Sequence, residues 1–251
     1  MTGGHIDRLD LDNSSATNGH LDADAVVDLL RRAIVHGDLP PGQRLVTADL
    51  AGRFDTTRAA IRRALAKLEG EGLISTERNR GARVREVSLA EAIEITEVRA
   101  SLEAMCAARM ALRSTWEERR RLRSYGEGML TAVNTGDVWR YNELSHEFHQ
   151  LIRDVSHQYT ATSIIEKLRF QSARYRYSVS LFPGRAAAGA RDHAELVEAI
   201  DHRAADRAAQ LMQEHILSLA AALKEVSART TSSNATRKLG PLMTGASTWM
   251  R

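Results

Sequence analysis

The chain has 251 residues, of which 43% are hydrophobic and 27% charged, enough for one large domain or two smaller ones with apolar cores. Its single cysteine, Cys106, excludes an intramolecular disulfide and any zinc cluster built from cysteines, and it fits a reducing compartment. The N-terminus lacks the pattern of a signal peptide, and no apolar run reaches the ~18 residues that a membrane span needs. We therefore expect a cytoplasmic protein.

The first part of the chain predicts an arm and two helices. Residues 1–20 are rich in Gly, Ser, Asn and Asp, which is typical of a flexible arm. From Leu21 apolar residues recur with a helical period as far as Gly37, and the turn-forming residues 38–42 follow. Residues 46–54 predict a second, shorter helix.

The next helix has an apolar stripe at Ile61, Ala64, Leu65 and Leu68, with spacings of three and four. Either Thr56 or Thr57 can cap its start, because a hydroxyl oxygen accepts from the free N–H groups of the first turn. Arg58 and Arg62 lie one turn apart beside this stripe. A helix-turn-helix protein places base-contacting side chains at this end of its recognition helix.

Two β-like segments, 73–76 and 82–85, flank a turn that contains Gly81. This pattern predicts a hairpin wing with Arg78, Arg80 and Arg83 near its tip. Residues 53–85 hold nine Lys or Arg against four acids, a net charge of +5, whereas the whole chain is only +3. Basic charge concentrated on one small module is typical of a surface that binds phosphates.

From residue 89 onwards the only periodicity is helical. We predict helices at 89–112, 115–134, 137–155, 158–180, 186–202 and 205–227, which makes an antiparallel bundle over residues 89–228. Residues 229–251 lose the period and become polar, so we expect a flexible tail. The predicted fold is mainly α: a winged helix-turn-helix followed by an all-α antiparallel bundle of about six helices.

The DNA-binding half is similar to a known family. The segments PPGQRL (40–45), TTRAAIRRAL (56–65), EGEGLI (69–74) and NRGARV (79–84) resemble the winged helix-turn-helix of GntR-family transcription regulators over residues 21–86. The resemblance implies DNA contacts from Arg44, Thr57, Arg58, Ala59, Arg62, Arg80 and Gly81. Thr47, Ala60 and Arg63 depart from the family pattern, which leaves the operator sequence open.

The helical half is similar to the FCD-type ligand domain, which defines the FadR-like branch of that family. The matching segments are EVRASLEAM (97–105), FHQLI (148–152), HAELVEAI (193–200) and AAQLMQEHI (208–216). The resemblance implies a metal site at His149, His193 and His215, holding one divalent ion per chain such as zinc or nickel. Ser145 stands where the family has Asp or Asn, so water or the effector would complete the site, or the site would be lost.

The resemblance also places Arg99 towards the ligand, where its guanidinium group suits a carboxylate. The alternative is an ion pair with Glu97 or Glu103 on a solvated face. Ser145, Arg174 and Tyr177 are further candidates for the effector site.

These features favour a homodimeric transcription regulator, expected to be a repressor. It would bind an operator with two-fold-related half-sites and would respond to a small organic acid. Two other classes stay open from the residues alone. One is a metal-dependent enzyme built on the His149, His193 and His215 cluster, and the other is a non-specific architectural DNA-binding protein.

Overall fold

The structure is a computed structural model that describes residues 21–77, 81–173, 175, 179 and 182–238, with the backbone alone for residues 226–238. The helices are α1 (Ala23–His36), α2 (Thr47–Arg53), α3 (Arg58–Gly70), α4 (Leu89–Arg113), α5 (Trp116–Asn134), α6 (Val138–Ser156), α7 (Tyr159–Gln171), α8 (Arg185–Asp201) and α9 (Ala205–Lys238). The strands are β1 (Arg44–Leu45), β2 (Ile74–Glu77) and β3 (Gly81–Val84). Within the described residues, no helix is long and apolar enough to span a membrane. The predicted mainly α architecture is confirmed.

Helices α1, α2 and α3 share one apolar core with the sheet. Helix α1 begins after Asp22, whose carboxylate accepts from the N–H of Ala25 at 2.8 Å, and it ends at Gly37, which has a left-handed backbone with φ of 91°. The contribution of α1 and α3 to this core consists of the buried residues Val26, Val27, Leu30, Ala33, Ile34, Ile61, Ala64, Leu65 and Leu68. The predicted apolar stripe is therefore the face with which α3 packs against α1.

The sheet is antiparallel, with the strand order β1-β3-β2. The predicted hairpin is present as β2 and β3, but the sequence gives no signal for β1, which is only two residues long and is defined by its pairing with β3. Arg83 was expected near the wing tip. It lies instead on β3, opposite Arg44, and its Nη1 donates to the carbonyl of Gly42 at 3.0 Å.

Helix α4 is the central helix of the bundle and packs against α6, α7, α8 and α9. Its start is capped by Ser88, whose hydroxyl accepts from the N–H of Glu91 at 3.1 Å. A reciprocal capping box between Thr115 and Glu118 begins α5. These caps explain why the predicted helix starts and breaks at Ser88 and Thr115 agree with the structure.

Two boundaries differ from the prediction. The fourth bundle helix was expected to run over 158–180, but α7 ends at Gln171 because Ser172 leaves the helical region with ψ of 6°. The carbonyl of Leu168 accepts from both the hydroxyl of Ser172 at 2.9 Å and its backbone N–H at 3.1 Å. Helix α9 extends to Lys238, beyond the expected start of the tail at 229.

The two domains touch at the end of α7. Phe170 packs against the core of the N-terminal domain, and the guanidinium carbon of Arg31 on α1 lies 5.0 Å from the centre of its ring. The hydroxyl of Tyr175 donates to the carbonyl of Val87 in the interdomain linker at 2.8 Å. These contacts place the C-terminal end of α1 beside the bundle.

Candidate functional site

The N-terminal end of α3 is an exposed polar surface on a well-anchored helix. Thr57, rather than Thr56, caps it by accepting from the N–H of Ala60 at 3.1 Å. Thr57, Arg58, Ala59 and Arg62 are exposed. Ala60 and Ile61 are buried. The four candidate DNA-contacting residues of α3 therefore face solvent together.

The wing supplies a second part of this surface. Gly81 has φ of 78°, a left-handed conformation that favours glycine. A Cβ atom built on Gly81 would lie 3.9 Å from the Nε atom of Arg44, so the exposed arginine of β1 reaches the base of the wing. Arg78 and Arg80 lie outside the described residues.

In the bundle, three helices bring His149 (α6), His193 (α8) and His215 (α9) together. Their side chains are buried, and one ring nitrogen of each lies within 4.8 Å of the other two. The Nε2 atoms of His149 and His193 are 3.2 Å apart. Residues that are far apart in the sequence thus form one cluster of imidazoles.

Each of two histidines has a carboxylate beside its Nδ1 atom. Oε2 of Glu103 lies 3.2 Å from Nδ1 of His149, and Oδ2 of Asp192 accepts from Nδ1 of His215 at 3.0 Å. The bond to Asp192 holds the ring proton of His215 on Nδ1, which leaves the lone pair on Nε2 for a metal ion. The contact between Glu103 and His149 is within ion-pair distance but lacks hydrogen-bond geometry.

Burial favours the neutral form of two of these histidines, His149 and His193. It lowers the pKa of His149 to about 3, against the partly opposing effect of Glu103, and it lowers the pKa of His193 well below its usual value. Neutral imidazoles are the form that binds zinc or nickel. Nδ1 of His193 is buried and has no hydrogen-bond partner among the described residues. The donor set and its protonation therefore fit a divalent metal ion.

Arg99 is buried rather than solvated. Its Nε and Nη2 atoms donate to Oε1 of Glu103 at 3.1 and 2.6 Å, and the two side chains are 3% and 2% exposed. The ion pair with Glu103, the alternative given above for Arg99, is present, but it lies inside the bundle and not on a solvated face. Burial alone would raise the pKa of Glu103, but Arg99 and His149 hold it well below its usual range. Within the described residues, Nη1 of Arg99 has no hydrogen-bond partner.

A cavity of about 270 Å³ lies beside the histidines. The basic residues that line it are His36, Arg99, His146, His149, Arg169, Arg185 and His215, and none of its described lining residues is acidic. Such a lining favours an anionic ligand. Ser145 and Asn142, one and two helical turns before His149, also line the cavity. Arg174 and Tyr177 lie outside the described residues.

Several lining residues were not expected from the sequence. The sequence pattern points to neither His146 nor Asn142, yet both line the cavity with His149. Val35 and His36 come from α1 of the N-terminal domain. A helical period predicts which side of α1 is apolar, but it gives no sign that the end of this helix meets another domain.

Comparisons with known proteins agree with both halves of this arrangement. Residues 22–84 match the model of the bacterial regulatory proteins of the gntR family, and residues 94–218 match the FCD domain. The chain is a GntR-family regulator with an FCD domain. This family membership makes it a transcription regulator and not an enzyme, which confirms the resemblance stated above.

Among the relatives of this GntR regulator are two named repressors of Escherichia coli K12. The HTH-type transcriptional repressor RspR is 26% identical over 198 residues, which cover 79% of this chain and 87% of RspR. The repressor GlaR is 27% identical over 203 residues, which cover 75% of this chain and 89% of GlaR.

Two solved structures share the fold. E. coli McbR/YncC has a TM-score of 0.69 and 21% identity, covering 82% of this chain and 98% of that one. A putative GntR regulator from Rhodococcus sp. RHA1 has a TM-score of 0.63 and 20% identity, covering 81% and 97%.

Proposed function

We propose that this protein is a cytoplasmic, homodimeric repressor that binds a specific operator through α3 and the wing. In this proposal residues 21–86 form the DNA-binding domain, and residues 89–228 form the domain for effector binding and dimerisation. A symmetric dimer presents two recognition helices to two-fold-related half-sites. The observation that supports DNA recognition most strongly is the shared exposure of Thr57, Arg58, Ala59 and Arg62 on an anchored helix.

Within this surface the residues have different tasks. Arg58 and Arg62 can each donate two hydrogen bonds to a guanine edge in the major groove, which gives sequence specificity. Arg44, Gly81 and Arg80 contact phosphates or the minor groove beside the wing, which gives affinity and fixes orientation. Thr57 and the small Ala59 lie at the start of α3, where they allow close approach of the backbone to DNA.

We further propose that the effector is a small organic acid bound in the cavity beside the histidines. His149, His193 and His215 would hold one divalent metal ion, such as zinc or nickel. A bound metal would supply an electrophilic centre for a carboxylate of the effector. The cavity lining supports this ligand class, because Arg169 and Arg185 add positive charge and no described lining residue is acidic. Ser145 and Asn142 can donate hydrogen bonds to the same ligand.

Substitution of Arg58 tests the DNA-binding proposal. We expect Arg58→Ala to weaken binding to a selected operator by ~1–3 kcal/mol, because one base-edge contact is lost, while affinity for scrambled DNA changes much less. The operator is first recovered by in vitro selection with the wild-type protein, and affinities are measured by fluorescence anisotropy at fixed salt. Arg120→Ala, at an exposed site on α5, is the matched control. Unchanged operator affinity in Arg58→Ala would remove this residue from the interface.

A further inference from the structure

The cavity beside the histidines is not enclosed by the FCD domain alone. Val35 and His36, in the last turn of α1, line it together with residues of α4, α6, α7, α8 and α9. One wall of the effector cavity therefore belongs to the DNA-binding domain. A ligand in the cavity would contact both domains at once.

Helix α1 packs against α3 over most of its length. Its apolar face shares the core with the apolar stripe of α3. The guanidinium group of Arg31 donates from Nε and Nη2 to the carboxylate of Glu71, just after α3, at 3.0 and 2.7 Å. Near the other end, Nζ of Lys67 lies 2.9 Å from Oδ1 of Asp24. Close-packed elements move together, so a shift of the end of α1 shifts the recognition helix with it.

The end of α1 also has space around it. A second cavity of about 440 Å³ lies between the domains and is lined mainly by apolar residues, including Leu39, Leu73, Val84 and Phe170. Val35 and Ala173 line both cavities and therefore lie between them. Because one cavity adjoins this turn on each side, the turn can move relative to the bundle without breaking a packed core.

We propose that the last turn of α1, at Val35 and His36, is part of the effector site and transmits its occupancy directly to the recognition helix. This inference rests on the proposed function and specifies how that site regulates DNA binding. A ligand that contacts α1 only when the domains are docked binds the docked arrangement more tightly than the undocked one. It therefore shifts the equilibrium towards the docked arrangement by the difference between these two affinities. In a dimer, this arrangement determines where the two recognition helices lie relative to one another.

The test fills the cavity with protein, so that it needs neither a known effector nor a metal. Ala186, at the start of α8, and Ser145, on α6, both line the cavity from the bundle side. Ala186→Trp and Ser145→Phe each place an aromatic ring in the space next to α1. Leu112→Trp, at a site that is 60% exposed on α4, is the control. Circular dichroism and thermal unfolding establish that each variant is folded. If Ala186→Trp does not fold, the test relies on Ser145→Phe, which introduces a smaller ring.

Hydrogen–deuterium exchange of the amides of residues 33–39 is then compared with that of the middle of α4. We expect at least threefold faster exchange of residues 33–39 in the filled variants and no change in Leu112→Trp. Operator affinity should fall by about 5–150-fold, the usual range of coupling between two sites. Exchange and affinity within twofold of wild type would overturn the inference. Faster exchange with unchanged operator affinity would also overturn it, because α1 would then not act on α3.

The outcome of the cavity-filling test can be distinguished from a failure of the proposed function. Loss of operator preference in the wild-type protein would contradict DNA recognition itself, whereas the exchange of α1 is measured without DNA. Absence of a bound metal would contradict the metal site, whereas the filled variants act by volume alone.

Discussion

At the residue scale, the most unusual feature is a buried ion cluster at the centre of the bundle. Glu103 accepts from Arg99 with one carboxylate oxygen and lies beside Nδ1 of His149 with the other. The charges of Arg99 and Glu103 are both removed from water, which costs desolvation free energy unless the pair is well hydrogen-bonded. A charged group at this position orients the imidazole, so Glu103 acts on the site through His149.

Substitution of Glu103 tests this positioning role. We expect Glu103→Gln to weaken zinc binding by about 10–100-fold, since loss of such a supporting carboxylate lowers metal affinity by this amount. The affinity is measured by competition with a chromogenic chelator on protein shown to be folded. Glu97→Gln, at an exposed site on the same helix, should bind zinc as the wild type does. Equal zinc affinity in Glu103→Gln and wild type would show that His149 needs no such support.

Part of this site is predictable from the spacing of its residues. The spacing of four residues predicts that Arg99 and Glu103 meet on one face of a helix. It does not predict whether that face is buried, because burial depends on which helices pack over it. For the same reason His36, Asn142 and His146 could not be assigned to the cavity, which is formed by the ends and faces of six helices.

At the element scale, side-chain caps define several of the helix starts. Asp22, Thr57, Ser88 and Thr115 each accept from a backbone N–H in the first turn, and these residue types mark a helix start in the sequence itself. The end of α7 at Gln171 was missed, since the apolar period continues past it. Strand β1 was missed because it exists only through its pairing with β3.

The packing of α6 against α8 depends on a glycine. A Cβ atom at Gly189 would overlap the hydroxyl of Tyr141 and would lie 3.8 Å from Cε1 of His215. Alanine normally favours a helix over glycine by ~1 kcal/mol. We nevertheless expect Gly189→Ala to destabilise the protein by about 1–3 kcal/mol, because the buried Tyr141 must move.

Urea unfolding followed by circular dichroism measures this effect. Tyr141→Phe removes the overlapping oxygen. In a protein that carries this substitution, Gly189→Ala should therefore lower the free energy of unfolding by clearly less. Gly52→Ala is the matched control, because no atom outside its own helix lies within 4 Å of the added Cβ. If Gly189→Ala were as stable as Gly52→Ala, the close approach of α6 and α8 would be contradicted.

At the scale of the whole molecule, the two domains are coupled through the end of α1. The cluster of imidazoles lies in the FCD domain and the residues that we propose contact DNA lie in the winged domain, yet α1 reaches both the cavity and α3. A family resemblance predicted both domains, but not this contact. The reason is that domain placement is determined by a small interface whose residues show no distinctive pattern in the sequence.

A dimer is the second expectation at this scale. Two copies related by a two-fold axis place two α3 helices on two half-sites, so the operator should be palindromic. We expect light scattering coupled to size-exclusion chromatography to give about twice the chain mass of 27.8 kDa. Footprinting should protect half-sites about 10 base pairs apart, or a multiple of that spacing. A monomer at micromolar concentration that binds a single asymmetric site would contradict this arrangement.

In the proposed function, His149, His193 and His215 and the cavity beside them form a metal-containing sensor site. The most direct measurement is the metal content per chain of protein purified without an affinity tag or added metal. His149→Ala is compared with His202→Ala, which changes an exposed histidine at the end of α8. We predict close to one divalent metal ion per chain in wild type and in His202→Ala, and its loss in His149→Ala. Metal-free wild-type protein would contradict this sensor role. It would indicate that the site lost its metal because Ser145 stands where the family has Asp or Asn.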